Sequence, residues 1–525
     1  MPELIQTLSS LLGSEGLLTD AESCVLYAQD VLTKAEPALA VARPANTEQL
    51  AATVKAAVAA GVDVVPRGGG MSYTSGYVPK NSGSIVIDMG RMTRILEINT
   101  EDMYVTVEAG CTWAALYEAL KETGWRTPFW GTLSGLYATV GGGVSQNAIF
   151  WGAGTYGSAA DSVVSLSVVL ADGSVVNTGS AAHSKGAPWF RHFGPDLTGI
   201  FLCDCGALGF KATVTLKLVP EYPARSGLSF ASDTGEAMLA FASDVARQQL
   251  ASEVCGFDPY LQAQRMKRES LGKDVKALAG VMKSAGGIGK ALKAGAKVAL
   301  AGRGYMKDVK FSIHTLIEER YDAVIAIKEK ELRQLAEKHG LREIENSIPK
   351  ILRANPFGPV NNMIGPEGQR WAPVHALVPH SKAAETFQAI EATFAKHQAA
   401  IEKYDIGCGY LFSSIGNNAL AIEPVFFWPD ELNELHHHAV EEAHLKRLKG
   451  FPADPEARAA VITIRRELVA LFADMGLAHL QIGKAYHYQQ SLRPEAWALV
   501  EALKQHVDPT GKINPGCLGL DKTSA

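Results

Sequence analysis

The spacing of hydrophobic positions changes several times along the first 220 residues. Residues 1–60 have mostly helical spacing, and AVARPANTEQLAATVKAAVAAG predicts a strand followed by an Ala-rich helix that begins near Asn46 or Thr47. Short β runs follow from 62 to 110, separated by glycine-rich turns: VDVVP, GSIVIDMG, ILEIN and MYVTVEAG. After a predicted helix, WAALYEALKETG, the run VVSLSVVLADGSVVNTG predicts a hairpin that turns at Asp172-Gly173. With GFKATVTLKLVP ending near 220, these elements predict an α+β unit.

In a second region, from about 223 to 475, the hydrophobic pattern predicts alternating helices and strands. Its strand candidates include WAPVHALVP (371–379) and ALAIEPVFFW (419–428), and the chain then closes on the loop DPTGKINPGCLGL. Residues 265–310 differ from the rest because lysines recur there every seven residues among apolar side chains. This composition is typical of a helix lying on an anionic membrane surface, although a solvated basic helix or a disordered loop fits it too, because glycines interrupt it.

Length, charge and cysteine content narrow the class of protein. A chain of 525 residues predicts two or three domains, and a composition of 47% hydrophobic and 20% charged residues is that of a globular protein. The net charge of −5 argues against nucleic acid as a partner. Seven cysteines without a framework spacing favour a reducing compartment, and we find neither a signal peptide nor a membrane span. We therefore expect a cytoplasmic protein, at most peripheral at the inner face of the membrane.

Two glycine-rich segments carry the candidate chemistry. The first, Pro66-Arg67-Gly68-Gly69-Gly70-Met71-Ser72-Tyr73, follows a predicted strand, and successive backbone N–H groups of such a loop can bind a polyanion. It matches neither a P-loop nor a G-x-G-x-x-G dinucleotide loop. The second, residues 131–158, alternates hydroxyls and glycines over a length at which loops are usually functional.

The order of these segments, together with the closing DPTGKINPG, resembles the vanillyl-alcohol oxidase and p-cresol methylhydroxylase (PCMH-type) family of FAD enzymes. The resemblance covers residues 38–222 and 480–520. It implies an FAD-binding domain built from both chain ends, residues 1–222 and 476–525, with a central α/β cap domain for the substrate at residues 223–475.

The same resemblance implies which residues hold FAD. The pyrophosphate would lie in the first loop, the flavin and adenosine against the second, and the C-terminal loop would return to the flavin; the residues are Pro66, Arg67, Gly68, Gly69, Gly70, Met71, Ser72, Thr132, Ser134, Thr139, Gly141, Gly142, Ser158, Asp161 and Asn514. Because the pyrophosphate loop lacks the histidine through which several family members link their flavin, non-covalent FAD is favoured.

For the substrate, the resemblance favours a phenol. Phenol-oxidising members place a tyrosine six residues after the loop arginine, as Tyr73 stands here, and a late Tyr-Arg pair where this chain has Tyr486-His487-Tyr488. Tyrosine hydroxyls can bind a phenolate whose electron release assists hydride loss from the benzylic carbon. Glu423, a charge inside an apolar strand, is a candidate base or hydrogen-bond acceptor, with a structural ion pair as its alternative.

The cap contains further polar residues that are candidates for the site. Arg370 and His375 should point to opposite faces of their strand, so at most one of them can face the flavin. Three adjacent histidines, 436–438, point to different faces of a helix, and we predict no metal site.

The predicted function is hydride transfer from an alcohol or benzylic carbon, of a lignin-like aromatic by preference, to FAD. The acceptor that reoxidises the flavin stays open among oxygen, a quinone and a cytochrome. A D-2-hydroxy-acid dehydrogenase is the first alternative, although the metal-ligand histidines of that group are missing. A flavin-binding, membrane-attached protein without turnover is the second. A homodimer is compatible with all three.

Overall fold

A computed structural model describes residues 2–268 and 308–521, so the basic segment 265–310 lies almost wholly outside the described residues. The strands are β1 Leu17–Leu18, β2 Ala40–Ala42, β3 Val64–Arg67, β4 Ile85–Asp88, β5 Ile95–Asn99, β6 Tyr104–Glu108, β7 Trp125–Arg126, β8 Val163–Val169, β9 Val175–Asn177, β10 Phe210–Lys217, β11 Val219–Pro220, β12 Ala224–Ser232, β13 Glu253–Phe257, β14 Phe311–Glu319, β15 Arg342–Ile344, β16 Arg370–Pro373, β17 Ala376–Pro379, β18 Gly407–Ile415 and β19 Ala419–Trp428.

The α-helices connect and cover these strands. They span Pro2–Leu12, Ala21–Leu26, Thr47–Ala59, Trp113–Leu120, Val140–Gln146, Ala153–Tyr156, Leu197–Ile200, Gly235–Arg247, Pro259–Arg268, Asp322–Lys338, Ser347–Ala354, Ala383–Lys396, Gln398–Lys403, Glu434–Ala439, Glu442–Leu445, Pro455–Asp474, Tyr488–Ser491 and Pro494–Val507. Within the described residues, none of them has the length and apolarity required to cross a bilayer.

The first sheet has the order β1-β2-β4-β3, in which β2, β4 and β3 run parallel. The predicted helix after β2 is confirmed. It begins at Thr47, and the side chain of Asn46 caps it by accepting a hydrogen bond of 2.9 Å from the N–H of Gln49. Leu50 and Val54 of this helix are fully buried against Val64 and Ile85 of the sheet.

The second sheet is antiparallel, with the order β5-β6-β10-β8-β9. Its β8–β9 hairpin confirms the predicted turn, where Gly173 has a φ of +82° and the Asp172 carboxylate accepts from the N–H of Ser174 at 2.8 Å. The sheet and the helix Trp113–Leu120 enclose a core that includes Trp113 and Phe129.

The third sheet is built from residues 224–428 and is antiparallel, with the order β15-β12-β14-β13-β18-β19-β16 and β17 also paired to β19. The helices Gly235–Arg247, Ala383–Lys396 and Pro455–Asp474 bury apolar faces on it. The predicted strand 419–428 is confirmed as β19. The predicted strand 371–379 is interrupted at Val374-His375, because β16 and β17 pair with separate parts of β19.

The C-terminal loop returns to the first sheet beside β3. Val64 donates its N–H to the carbonyl of Lys512 at 2.9 Å, and Asn514 donates its N–H to the carbonyl of Val64 at 2.8 Å. The Asp508 carboxylate shapes the loop by accepting from the N–H groups of Lys512 at 3.0 Å and Ile513 at 2.7 Å. The end of the chain therefore lies at the base of the glycine-rich loop 66–73.

A buried ion-pair network joins the third sheet to the N-terminal part of the chain. The Glu318 carboxylate on β14 lies 2.8 Å from the guanidinium of Arg126 on β7 and 2.8 Å from that of Arg353. Burial by itself would raise the pKa of Glu318, but Arg353 and Arg126 outweigh it and lower that pKa from 4.5 to about 2.

The network predicts an acid-dependent part of the stability. Because the folded-state pKa of Glu318 is depressed, its contribution is present above pH 4.5 and is lost as the pH falls toward 2. That difference corresponds to about 3 kcal/mol. We expect Glu318→Gln to lower the free energy of unfolding by about that amount at pH 7 and to flatten its decline between pH 5 and pH 3, measured by urea unfolding. Glu319→Gln, at a partly exposed neighbour paired with Lys328, is the control. An equal effect of both variants would contradict the assignment.

Candidate functional site

A long cleft runs between the two N-terminal sheets and the third sheet. Both glycine-rich segments form its floor, and β18, β19 and the loop around Gln481 form its far wall. The residues that the sequence predicts for FAD and that line this cleft are Pro66, Arg67, Gly68, Gly69, Gly70, Met71, Ser72, Thr132, Ser134, Thr139, Gly141 and Gly142.

The glycines allow neighbouring chain segments in the floor of the cleft to pack with their main chains in direct contact. A Cβ atom added to Gly69 would lie 1.8 Å from the carbonyl oxygen of Tyr137, and one added to Gly141 would lie 2.6 Å from the Cβ of Ala109. Both distances are far below van der Waals contact. The floor of the cleft is therefore made of main chain, which a side chain at either position would push apart.

The first loop presents a run of backbone amide groups to the cleft. Within residues 2–268 and 308–521, the backbone N–H groups of residues 68–72 donate no hydrogen bond. The Arg67 side chain does not face the cleft, because its Nη1 donates to the carbonyls of Leu26, Tyr27 and Gln29 at 3.2–3.3 Å. A run of unsatisfied amides is a site for an anionic group such as a pyrophosphate, and Arg67 braces the loop from behind.

Three predicted cofactor residues do not line the cleft, which corrects the expectation from the sequence. The Asp161 carboxylate accepts hydrogen bonds from the N–H and the Oγ of Ser158 at 2.8 and 2.9 Å, so these two residues cap a local turn. Asn514 is fully buried, and its Nδ2 donates to the carbonyls of Gly76 at 2.8 Å and Cys205 at 2.9 Å. Asn514 thus ties the chain end to the segment after the loop.

At one end of the cleft, three polar side chains converge. Tyr73, directly after the glycine-rich loop, donates its hydroxyl to the Glu423 carboxylate at 3.2 Å, and Gln481 Nε2 donates to the Tyr73 hydroxyl at 3.0 Å. Burial and the neighbouring Glu423 raise the pKa of Tyr73, so its hydroxyl keeps its proton. The ring of Trp371 meets the Tyr73 ring edge-on, with centroids 5.5 Å apart. No pattern in the stretch AHLQIGKAYHY singles out Gln481, which only the fold brings to Tyr73.

The late tyrosines lie elsewhere, which is a second correction. Tyr486 is buried behind the cleft, where its hydroxyl accepts from the N–H of His375 at 2.9 Å and lies 3.1 Å from His375 Nδ1. His487 is exposed, and Tyr488 is half-buried against the core of the second sheet. Burial lowers the pKa of His375 to about 3, so this imidazole is neutral.

Arg370 also points away from the cleft. Its Nη2 donates to the carbonyls of Val31 and Leu32, and its Nη1 lies 3.9 Å from the Asp430 carboxylate. Neither Arg370 nor His375 lines the cleft, and Arg370 points away from it because its neighbour on β16, Trp371, faces the cleft.

Most of the wall around Glu423 is apolar, with Leu261, Val360, Met363, Val425 and Phe427, and Asn362 and Ser413 are further polar residues of the lining. Among the described lining residues, Arg67 and Lys211 carry positive charge, and Lys211 is paired with the buried Asp204. No histidine or cysteine appears in that lining, and no group of three or more His, Cys, Asp or Glu in the described chain is placed to hold a metal ion.

Part of this chain is similar in sequence to known proteins. The FAD binding domain family matches residues 38–179. The mitochondrial D-lactate dehydrogenase (cytochrome) of Arabidopsis thaliana is 33% identical over 218 residues, which cover 40% of this chain and 37% of that protein. This chain therefore spans less than half the length of the curated relatives it matches.

Solved structures match the whole fold. p-Cresol methylhydroxylase with substrate bound superposes with a TM-score of 0.74 at 17% identity, over 99% of this chain and 97% of that one. The 4-ethylphenol oxidase from Gulosibacter chungangensis, in complex with isoeugenol, gives a TM-score of 0.71 at 17% identity and the same coverage. The α+β architecture is therefore the PCMH-type fold.

The glycine contacts predict how cofactor binding can be lost. In Gly69→Ala, the added methyl must displace the Tyr137 carbonyl, so the loop amides no longer converge. We expect the purified variant to hold less than about a tenth of the FAD of the unaltered protein, a loss of more than about 1.4 kcal/mol in binding, measured by absorbance near 450 nm after dialysis. Gly358→Ala, where the new Cβ meets nothing within 4 Å, should keep its FAD. Retention of full FAD by Gly69→Ala would contradict the role of the loop.

Sequence and geometry agree on the cofactor. The unsatisfied amides of residues 68–72 and the main-chain floor fit the pyrophosphate and the extended body of a dinucleotide. The family match covers both glycine-rich segments. Residues 38–179 of this chain are thus an FAD-binding domain within a PCMH-type fold, and the cofactor is FAD.

Proposed function

We propose that the protein is an FAD-dependent oxidoreductase that takes a hydride from an alcohol or benzylic carbon of an uncharged, hydroxyl-bearing aromatic, with phenols as the first candidates. The observation that carries this proposal is the Glu423–Tyr73–Gln481 cluster in a mainly apolar wall. One proton acceptor among hydrophobic side chains suits a substrate with one hydroxyl on an apolar body.

FAD supplies the hydride acceptor when it is bound. Glu423 then accepts a hydrogen bond from the substrate hydroxyl and takes up its proton at a carboxylate oxygen as negative charge develops on the substrate. Tyr73 keeps its proton and holds the carboxylate in place through the 3.2 Å hydrogen bond, while Gln481 fixes the Tyr73 hydroxyl. The apolar wall and Trp371 exclude water from the reacting carbon.

This arrangement modifies the phenolate hypothesis drawn from the sequence. In that hypothesis, tyrosine hydroxyls and a cation stabilise the phenolate anion. In the structure, the polar cluster includes a carboxylate, and Tyr486, His487 and Tyr488 do not line the cleft. Proton removal by Glu423 serves the same chemical purpose, because electron release from the deprotonated oxygen assists hydride loss at the benzylic carbon.

The cleft charges weigh against a 2-hydroxy acid, the substrate class in the name of the Arabidopsis relative. A substrate carboxylate would approach Glu423, and in the described lining both Arg67 and Lys211 are already engaged by protein groups. A substrate carboxylate needs a cation to pair with, and neither of these two cations of the described lining is available for it.

We also propose that FAD is held without a covalent bond. Histidine and cysteine, the residues that most simply form such a bond, are absent from the described lining of the cleft, and Tyr73 and Tyr77 use their hydroxyls in hydrogen bonds. Acid precipitation of the purified protein should release the yellow colour into the supernatant. A yellow pellet from the unaltered protein would contradict the proposal.

The substrate proposal is tested by anaerobic flavin reduction in stopped flow. A 4-hydroxybenzyl alcohol should bleach the flavin, whereas D-lactate and glycolate should not. Glu423→Gln keeps an acceptor for the Tyr73 hydroxyl but cannot take up a proton, so we expect the reduction rate to fall by about 10²–10⁴-fold with FAD content unchanged.

Glu385→Gln, on the exposed face of the helix Ala383–Lys396, should reduce at the rate of the unaltered protein. Faster bleaching by D-lactate than by the phenol would replace this proposal with the hydroxy-acid alternative. A flavin that no alcohol or acid in a broad screen reduces would favour a protein without turnover.

A further inference from the structure

A second cavity of about 680 Å³ lies behind Tyr73, on the side away from the apolar wall. Its walls come from the N-terminal loop 32–34, the strand β16, the loop 431–434, the helix Pro455–Asp474 and the segment 484–486. Tyr73 lines both cavities, and Tyr486 lines this one. The volume is within the range of small-molecule sites.

The lining of this cavity is strongly cationic. The lining contains two carboxylates, Glu431 and Glu434, and six positively charged residues, which are Lys34, Arg370, Arg458, Arg465, Arg466 and Lys484. The FAD cleft has no comparable cluster among its described residues.

Half of these cations are compensated by carboxylates. Lys34 pairs with Glu434 at 2.6 Å, and the buried Asp430 pairs with Arg458 at 2.7 Å and with Arg370 at 3.9 Å. Behind the wall, the Asp30 carboxylate is saturated by the backbone N–H groups of residues 32, 33 and 75.

The other half have no such partner. In the described part of the chain, no carboxylate lies within 4.0 Å of the charged nitrogens of Arg465, Arg466 or Lys484. Arg465 is only 8% exposed and donates to the Pro373 carbonyl, and Lys484 donates to the Val78 carbonyl at 2.6 Å. The Nε of the buried Arg370 has no hydrogen-bond partner.

Such a cluster is unfavourable unless an anion joins it. Arg465 is buried and Arg466 is exposed, so the cost is the desolvation of Arg465 and the mutual repulsion of the cations around the cavity, and a multivalent anion would offset both. Guanidinium forks match the oxygen geometry of a phosphate, and an ammonium adds a point charge. Burial lowers the pKa of Arg465 although Tyr486 and the buried Asp30 act to raise it, and an anion in the cavity would raise it further.

We propose that this second cavity is a binding site for a phosphate group, held by Arg465 and Arg466 and separated from the FAD cleft by Tyr73. Bound phosphate would join the N-terminal loop, the third sheet and the C-terminal segment. Since Tyr73 and Tyr486 form part of its wall, occupancy also fixes the back of the Tyr73–Glu423 cluster.

The test is isothermal titration of the FAD-loaded full chain with inorganic phosphate and with methyl phosphate, at an ionic strength held constant with chloride. Loading with FAD keeps phosphate out of the pyrophosphate loop. We expect saturable binding at one site per chain. Tighter binding of the ester identifies a phosphate monoester as the ligand, and equal binding identifies free phosphate; both support the site.

Arg466→Gln is the informative variant, because Arg466 is exposed and contributes no described hydrogen bond to the fold. It should weaken phosphate binding at least about tenfold, as expected for the loss of one charge-assisted hydrogen bond. Arg466→Lys should recover part of the affinity. Arg493→Gln, which removes an exposed charge outside the cavity, should change nothing.

Absence of saturable binding, unchanged affinity in Arg466→Gln, or an equal loss in Arg493→Gln would each overturn the site. None of these readouts uses substrate turnover. A failure of the proposed oxidoreductase activity therefore leaves the phosphate result intact, and the reverse also holds.

Discussion

The contact between Gly69 and the Tyr137 carbonyl is the constraint on which the rest of this protein depends. A Cβ atom at position 69 would lie 1.8 Å from that oxygen, so the two glycine-rich segments can meet only as bare main chain. Their meeting forms a floor in which the N–H groups of residues 68–72 have no acceptor within the described residues, an arrangement that suits an anionic ligand. Arg67 stabilises the loop by binding three carbonyls behind it, instead of binding the ligand itself.

The same loop ends in Tyr73, and this continuity connects cofactor binding to chemistry. The main chain of the glycine-rich loop also fixes the position of a hydroxyl that meets Glu423 on β19 and Gln481 after the third sheet. Three distant segments thus define one polar point in a mainly apolar wall. Behind it lies a cavity of opposite character, rich in cations, so Tyr73 separates a carboxylate from a cluster of guanidinium groups.

Much of the fold could be predicted from local patterns. Asn46 caps its helix and Asp172-Gly173 turns its hairpin because both effects involve neighbouring residues alone. The predicted single strand 371–379 was wrong in its continuity, since the partner strand β19 decides where pairing stops. Ser158 and Asp161 were wrongly placed in the cleft, because side chains of that kind bond each other across a turn as readily as they bind a ligand.

The sequence by itself determined the cofactor and the class of fold. The reason is that both depend on two glycine-rich loops and the closing DPTGKINPG, whose order and spacing shape the main chain and are retained at low sequence identity. Tertiary structure alone decided which polar side chains share the cleft. The sequence indicates Glu423, because it is a charged residue within an apolar strand, but no local pattern indicates Gln481. Tyr486 and Arg370 were predicted for the site, and both point away from the cleft. The physical reason is that a backbone-lined site is encoded by residues close in sequence, whereas a side-chain cluster depends on how separate sheets pack together.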